Sequence, residues 1–405
     1  MPNKRVGIIT LYHESTNYGG NLQAYALCKF LRNNDVTAEQ ISFKGGATAN
    51  TAKGGRLLAT IKRNGVKNIL KKAFKRLQLL LLAPIHKLYV NPKKRAEDQK
   101  HNVIVRRKEA FAKFNHELIP HSENVYTAKN IGDTMNDYDV FITGSDQVWN
   151  LRWYNPIFFL NFVSSEKVKL SYAASMAMGD LTNAQKKLFK EHLKDYQAIS
   201  VREKGAVKAL SECASVPIEH VLDPTLLLTQ EDWDKVREER PIEGEYLFCY
   251  FLGVNKKNRV LAEQFAKHNH LKLVTIAHAV GGGVIRLQDR EFGDEKLFDV
   301  SPQQFLSLIK NASFVFTDSF HAVVFSRIYQ KEYVVFNRDK KGSMNSRIRD
   351  ITELFGTTER FCGCKERENL EYISKLEKID YTKTNAKFDE LQKFSREFLL
   401  SNVKD

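Results

Sequence analysis

Short apolar runs recur along the chain, separated by stretches long enough for a helix, and this rhythm predicts an alternating α/β protein. In the first half the runs fall at 6–11, 38–43, 140–143, 169–173 and 198–201, and in the second at 246–252, 272–276, 313–316 and 333–336. Between the first two, Ala24, Leu27, Cys28 and Leu31 stand at i, i+3, i+4 and i+7, which predicts a helix from about 21 to 31 with one face in a core. The stretch 383–400 predicts a last amphipathic helix. Such alternation implies mainly parallel sheets with helices on both faces.

Two of the runs break off alike. Residues 140–150 carry Thr143, Gly144, Ser145 and Asp146 at the strand end, and residues 314–324 carry Thr317, Asp318, Ser319 and His321. Ligands of open α/β sheets bind outside the carboxyl ends of strands. The echo therefore predicts two Rossmann-like domains facing a cleft, with Asp146 and His321 on opposite walls. The expected division is 1–228 for the first domain, with a basic helical insertion at about 45–118. The second domain follows at 240–380 after a linker near 226–241, and a C-terminal helix at 381–405 ends the chain.

Composition narrows the class. A chain of 405 residues, 42% hydrophobic and 27% charged, is that of a soluble globular protein of two domains. Five scattered cysteines argue against a secreted disulfide framework and for a reducing cytosol. Cys362 and Cys364 have no second pair at ligand spacing, so a metal site is not expected. The start of the chain lacks a signal peptide pattern, and the run 77–85 is far below the roughly 20 residues that span a bilayer. A cytoplasmic protein is expected, peripheral on the inner face of the membrane.

Net charge is +15, and between Lys44 and Lys108 18 Lys and Arg stand against two acids, so the excess is local. There Lys71, Lys72, Lys75 and Arg76 alternate with Phe74, Leu77 and Leu79, a pattern that suits a helix in the headgroup region of an anionic membrane. A solvated helix packed by its leucine face is the plainer alternative. No base-reading motif accompanies the charge, so nucleic acid is not an expected partner.

Several residues could carry chemistry. The loop 12–21 joins a strand to a helix start, where Asn17, Gly19, Gly20 and Asn21 could bring backbone amides to an anion, or simply form a βα turn. It is not a dinucleotide fingerprint, so a nicotinamide cofactor is not supported. His321 falls in the first turn of a helix expected at about 320–329, where the dipole disfavours imidazolium and suits a proton carrier beside an anion. Thr317, Asp318 or Ser319 could cap that helix. Arg202 could grip a carboxylate or phosphate, or pair with Glu203 or another acid. Arg347 and Arg349 add cations at a further helix start.

Ordered blocks then point to a family. Gly7, Ile8, Ile9 and Thr10 with Asn17 to Leu27, then Gly144 to Asn150, Ser171 to Ser175, Val201 to Glu203, Val221 to Thr225 and Thr317 to His321, resemble the polysaccharide pyruvyl transferase family. The resemblance implies a glycosyltransferase-B-like fold. It also implies phosphoenolpyruvate as donor and a hydroxyl pair of a capsule or exopolysaccharide sugar as acceptor, commonly lipid-linked, with a pyruvate ketal and phosphate as products. No cofactor is implied. Arg202 matches the arginine that contacts the donor, and His321 the histidine of the family's Arg-Leu-His motif. The implied roles are acid/base for His321 and donor clamp for Arg202, with substrate contacts from Asn17, Gly19, Gly20, Asn21, Ser145, Asp146, Ser319 and Arg347. This chain has Ser319 where the motif has its arginine, and Arg327, Arg338 or Arg347 could supply that charge. The alternatives are a glycosyltransferase using a nucleotide sugar and a membrane-surface scaffold.

Overall fold

The computed structural model describes residues 4–45, 103–177, 180–280, 284–338, 346–383 and 386–404. Most of the expected basic insertion, 46–102, lies outside them. The chain divides into two compact units. One contains Asn115–Leu227 and Leu391–Asp405 together with the N-terminal strands and helix; the other contains Leu228–Glu390 and the stretch ending at Phe114. The helix Val103–Leu118 thus contributes residues to both, as does the last helix, Ala386–Lys404.

The first unit is built on β1 (Arg5–Ile9), β2 (Thr37–Phe43), β3 (His121–Tyr126), β4 (Val140–Thr143), β5 (Val168–Ala174), β6 (Ala198–Val201) and β7 (Ile218–His220). They form one sheet in the order β3-β2-β1-β4-β5-β6-β7, parallel throughout. The helix Tyr18–Asn33 crosses from β1 to β2, and its apolar stripe is fully buried at Ala24, Leu27, Cys28 and Leu31. Because β2 lies on one side of β1 and β4 on the other, the winding reverses between β1 and β4.

The second unit repeats the plan. Its strands are β8 (Tyr246–Tyr250), β9 (Lys272–Ile276), a hairpin of β10 (Ala279–Val280) and β11 (Val284–Ile285), β12 (Glu295–Leu297), β13 (Phe314–Thr317), β14 (Tyr333–Phe336) and β15 (Phe361–Cys362). The main sheet runs β12-β9-β8-β13-β14-β15, again all parallel. Here the winding reverses between β8 and β13. Each half is therefore a Rossmann-like sheet, and the fold class is the α/β pair of such units predicted. The two echoing segments prove to be equivalent: β4 and β13 are the strands across the reversal from each unit's first strand.

Aromatic cores hold the strand ends in place. Trp149, fully buried, stacks on Phe159 with centroids 5.6 Å apart, packs edge-on to Phe189 and Tyr196, and donates from Nε1 to the Phe158 carbonyl (3.1 Å). It anchors the loop that carries Ser145 and Asp146. In the second unit Phe265, Phe314, Phe316 and Phe336 pack in sequence. The stretch 226–241, expected as the linker, contains the division between the units after Leu227 and carries a short helix, Gln230–Asp234, started by a Thr229–Asp232 capping box, which sets Trp233 edge-on against Phe325 at 4.9 Å. No helix among the described residues is long and apolar enough to cross a membrane.

Candidate functional site

In the first unit the candidate residues gather where the winding reverses. The Thr10 hydroxyl, just past β1, donates to the Ser145 carbonyl just past β4 (2.6 Å), and Gln23 Nε2 donates to Thr10 Oγ1 (3.1 Å). Ser145 is fully buried and its hydroxyl donates to Asp223 Oδ2 (3.2 Å). Asp146 turns away through a left-handed backbone (φ 70°) and returns to the sheet as an isolated bridge with Ala174. A non-glycine residue held there costs on the order of 1 kcal/mol and marks a position fixed by its surroundings.

Arg202 sits at the centre, with its side chain only 2% exposed. Nη1 donates to Asp223 Oδ2 at 2.7 Å, and Nη2 lies 3.7 Å from Asp146 Oδ1. Asp223 is itself fixed by the amide and hydroxyl of Thr225 (3.0 and 2.7 Å). Glu203, buried next door, accepts the Ser175 hydroxyl. Burial opposes the Arg202 charge, but Asp223, Glu203 and Asp146 outweigh it and hold the guanidinium above its ordinary pKa. Arg202 forms its short ion pair with Asp223 rather than with the neighbouring Glu203. Three carboxylates thus act on one buried cation.

The helix-start residues of the first unit are used mostly by the fold. Asn17 is the N-cap, its Oδ1 taking the Gly20 amide (3.2 Å) that was expected to meet a ligand. Asn21 is fully buried, with Nδ2 donating to the carbonyls of Ser15 (3.1 Å) and Asn17 (2.7 Å). Gly19 and Gly20 are buried too, and only Asn17 of the four is exposed. Space at Gly20 is tight: a Cβ there would stand 3.0 Å from the Leu11 carbonyl, with Asp146 Oδ2 in van der Waals range at 3.5 Å. The structure thereby brings Gly20, Asp146 and Arg202 together, with Asp146 as the carboxylate nearest solvent.

In the second unit Ser319 is the N-cap of the helix Phe320–Ile328, accepting the Ala322 amide at 3.5 Å. His321 lies in the first turn as expected, 8% exposed, edge-on to Phe320 with centroids 5.2 Å apart. Thr317 braces the turn, donating to the Tyr250 carbonyl (2.6 Å) and accepting the Ser319 amide (3.0 Å). Arg347 is buried near the start of the helix Ser346–Leu354, while Arg349 is exposed over the Phe361 ring. Arg327 cannot stand in at position 319. It is in the last turn of its helix, where its guanidinium lies over the rings of Phe355, Tyr381 and Phe388 at 5.2–5.9 Å.

Sequence reasoning missed the residues that join β8 to β13. Asp318 is buried and takes two backbone amides, from Leu252 to Oδ1 (2.7 Å) and from Gly253 to Oδ2 (2.8 Å). Burial nonetheless pushes its carboxyl above the usual range, against the opposing pull of Arg338, the two amides and Arg259. Nearby, Arg259 pairs with Asp289, and burial together with the charges of Arg286, Arg107, Arg338 and Arg259 disfavours a protonated His278. Asp223 and Asp318 both lie inside motif blocks, so a signal existed; Arg259 and Arg286 lie in none. Among the described residues no group of three or more His, Cys, Asp or Glu could hold a metal ion.

Solved structures that resemble the chain are distant. A UDP-N-acetylglucosamine 2-epimerase from Methanocaldococcus jannaschii aligns with 11% identity and a TM-score of 0.49, over 98% of this chain and 99% of its own. A glycosyltransferase from Rickettsia africae aligns with 11% identity and a TM-score of 0.45, over 100% of this chain and 95% of its own. No curated protein matches the sequence significantly. The family model described as polysaccharide pyruvyl transferase matches residues 17–340, which include Arg202, Asp223 and His321, and on that match the chain belongs to the polysaccharide pyruvyl transferase family.

Proposed function

We propose that this protein transfers pyruvate from phosphoenolpyruvate to two hydroxyls of a sugar in a bacterial capsule or exopolysaccharide precursor. Family membership over residues 17–340 supports the reaction class. The observation that divides the labour is the contrast between the two strand reversals. Three carboxylates around one buried guanidinium suit neutral hydroxyls that must lose protons; an arginine-rich edge suits an anionic donor.

In this reading the donor's methylene carbon takes a proton from His321 while the first hydroxyl oxygen bonds to the adjacent carbon and gives its proton to a base. The bond from that carbon to the phosphate oxygen then breaks, phosphate leaves with the electron pair, and the second hydroxyl closes the ketal as it loses its proton. Arg202 keeps Asp146 and Asp223 in place and does not clamp the donor. The acceptor is lipid-linked, and the basic segment between Lys44 and Lys108 draws the enzyme to the anionic membrane surface.

Purified protein mixed with phosphoenolpyruvate and a lipid-linked galactose-containing oligosaccharide should release phosphate and form a ketal. Absence of turnover over a broad acceptor panel, together with absence of donor binding, rejects the proposal. Ser319, in place of the motif's arginine, favours one competing reading, a transferase of nucleotide sugars. Greater thermal stabilisation by nucleotide sugars than by phosphoenolpyruvate would select it.

A further inference from the structure

The second unit's strand reversal carries a charge arrangement of its own. The Leu252 and Gly253 amides both point at Asp318, so the carbonyls of the same two residues point elsewhere. Arg286 Nη1 donates to the Leu252 carbonyl (2.9 Å) and the Gly253 carbonyl (3.3 Å), and Arg259 Nη2 donates to the same Gly253 oxygen (3.2 Å). The backbone after β14 packs close to this loop: a Cβ on Gly253 would lie 2.5 Å from the Arg338 carbonyl oxygen and 2.7 Å from Asp318 Oδ2. No side chain larger than hydrogen fits there without moving the loop.

These arginines are not equivalent. Arg259 is buried, paired with Asp289 at 2.5 Å, and lies over the rings of Phe251 and Phe292. Arg286 is half-buried and, among the described residues, has carbonyl oxygens as its hydrogen-bond partners and no ion pair. Its charge is disfavoured by burial and by Arg259 and Arg338, more than Asp289 and Asp318 compensate. The same field, added to burial, pushes His278 down to about 3. Among the described residues this half-exposed guanidinium is held by carbonyls at a strand reversal, with Arg259 on the same Gly253 oxygen, an arrangement suited to an anion.

The geometry points to Arg286, flanked by Arg338 and positioned by the Gly253 carbonyl, as the binding site for the phosphate of the donor, supplying the charge that Ser319 does not. The assignment of that phosphate to an enol ester rests on the function proposed above; the anion site does not.

Calorimetry on the full-length protein tests it, with inorganic phosphate and phosphoenolpyruvate as probes. Arg286→Gln should weaken both by about tenfold or more, the scale of one charge-assisted contact, and Arg286→Lys should restore part of the loss. Arg338→Gln carries the same expectation and serves if Arg286→Gln does not fold. Phosphate binding that is absent from the wild type, or unchanged in both glutamine variants, overturns the site. Should phosphate bind and respond to these changes while phosphoenolpyruvate binds no better than phosphate, the anion site stands and the donor assignment falls.

Discussion

Asp318 holds Gly253 by its amide at 2.8 Å and stands 2.7 Å from where a side chain at that glycine would begin, so the pair locks β8 to β13. Asp318→Asn would turn an NH₂ group toward one of the two amides and leave a buried donor without an acceptor. A loss of about 1–3 kcal/mol in urea unfolding is expected. Gly253→Ala should destabilise comparably and displace Arg338. Wild-type stability of both variants would show that the lock is not needed.

Arg202 and Asp223 form the corresponding lock in the first unit. Arg202→Met strands buried carboxylates and should cost about 3–5 kcal/mol, whereas a double replacement of Arg202 and Asp223 by apolar residues should cost much less than the sum of the single changes. A double-mutant cycle in denaturant measures this. If Arg202→Met instead leaves stability intact and raises the donor KM alone, Arg202 is a donor ligand after all.

His321→Ala should lower turnover by about 10²–10⁴-fold while far-ultraviolet circular dichroism and donor affinity stay close to wild type. Full activity in this variant removes His321 from the mechanism.

The depressed pKa of His278 predicts an acid sensitivity. The unfolded chain takes up a proton near the ordinary value of 6.5, whereas the folded protein resists until about 3. Stability is therefore lost as pH falls through that interval. His13 and His220 shift in the same direction, so the comparison that isolates His278 is the pH slope of His278→Asn against wild type. The variant should show the shallower slope; equal slopes count against the burial of that imidazole among arginines.

Liposome co-sedimentation checks the membrane role of the basic segment. Each Lys or Arg near an anionic surface contributes on the order of 1 kcal/mol, so binding to anionic vesicles should be strong at low salt and weaker at physiological salt. Equal partitioning onto neutral and anionic vesicles refutes it.

The legible parts of the fold are those buried on both faces. Strands β4, β6, β9 and β14 coincide residue for residue with apolar runs, because central parallel strands leave no polar face. The strands of the two main sheets that sequence reasoning missed, β3, β7, β12 and β15, are the four sheet edges, where one side meets solvent and the runs are short or polar. The site was legible to the extent that it sits in strand-end blocks, as with Asp146, Arg202 and His321. Which acid would face Arg202 was not, since Asp223 is 21 positions away and depends on the packing of β6 and β7. Arg286 was invisible for the same reason: its neighbours Leu252 and Gly253 come from another strand end.

The hydrogen bond from Thr10 to Ser145 joins β1 to β4 in one unit, and that from Gly253 to Asp318 joins β8 to β13 in the other. The plan is the same, but one clasp is a neutral hydroxyl and the other a carboxylate. On the function proposed above, randomising around Asn17 and Asp146 is the route to a new acceptor.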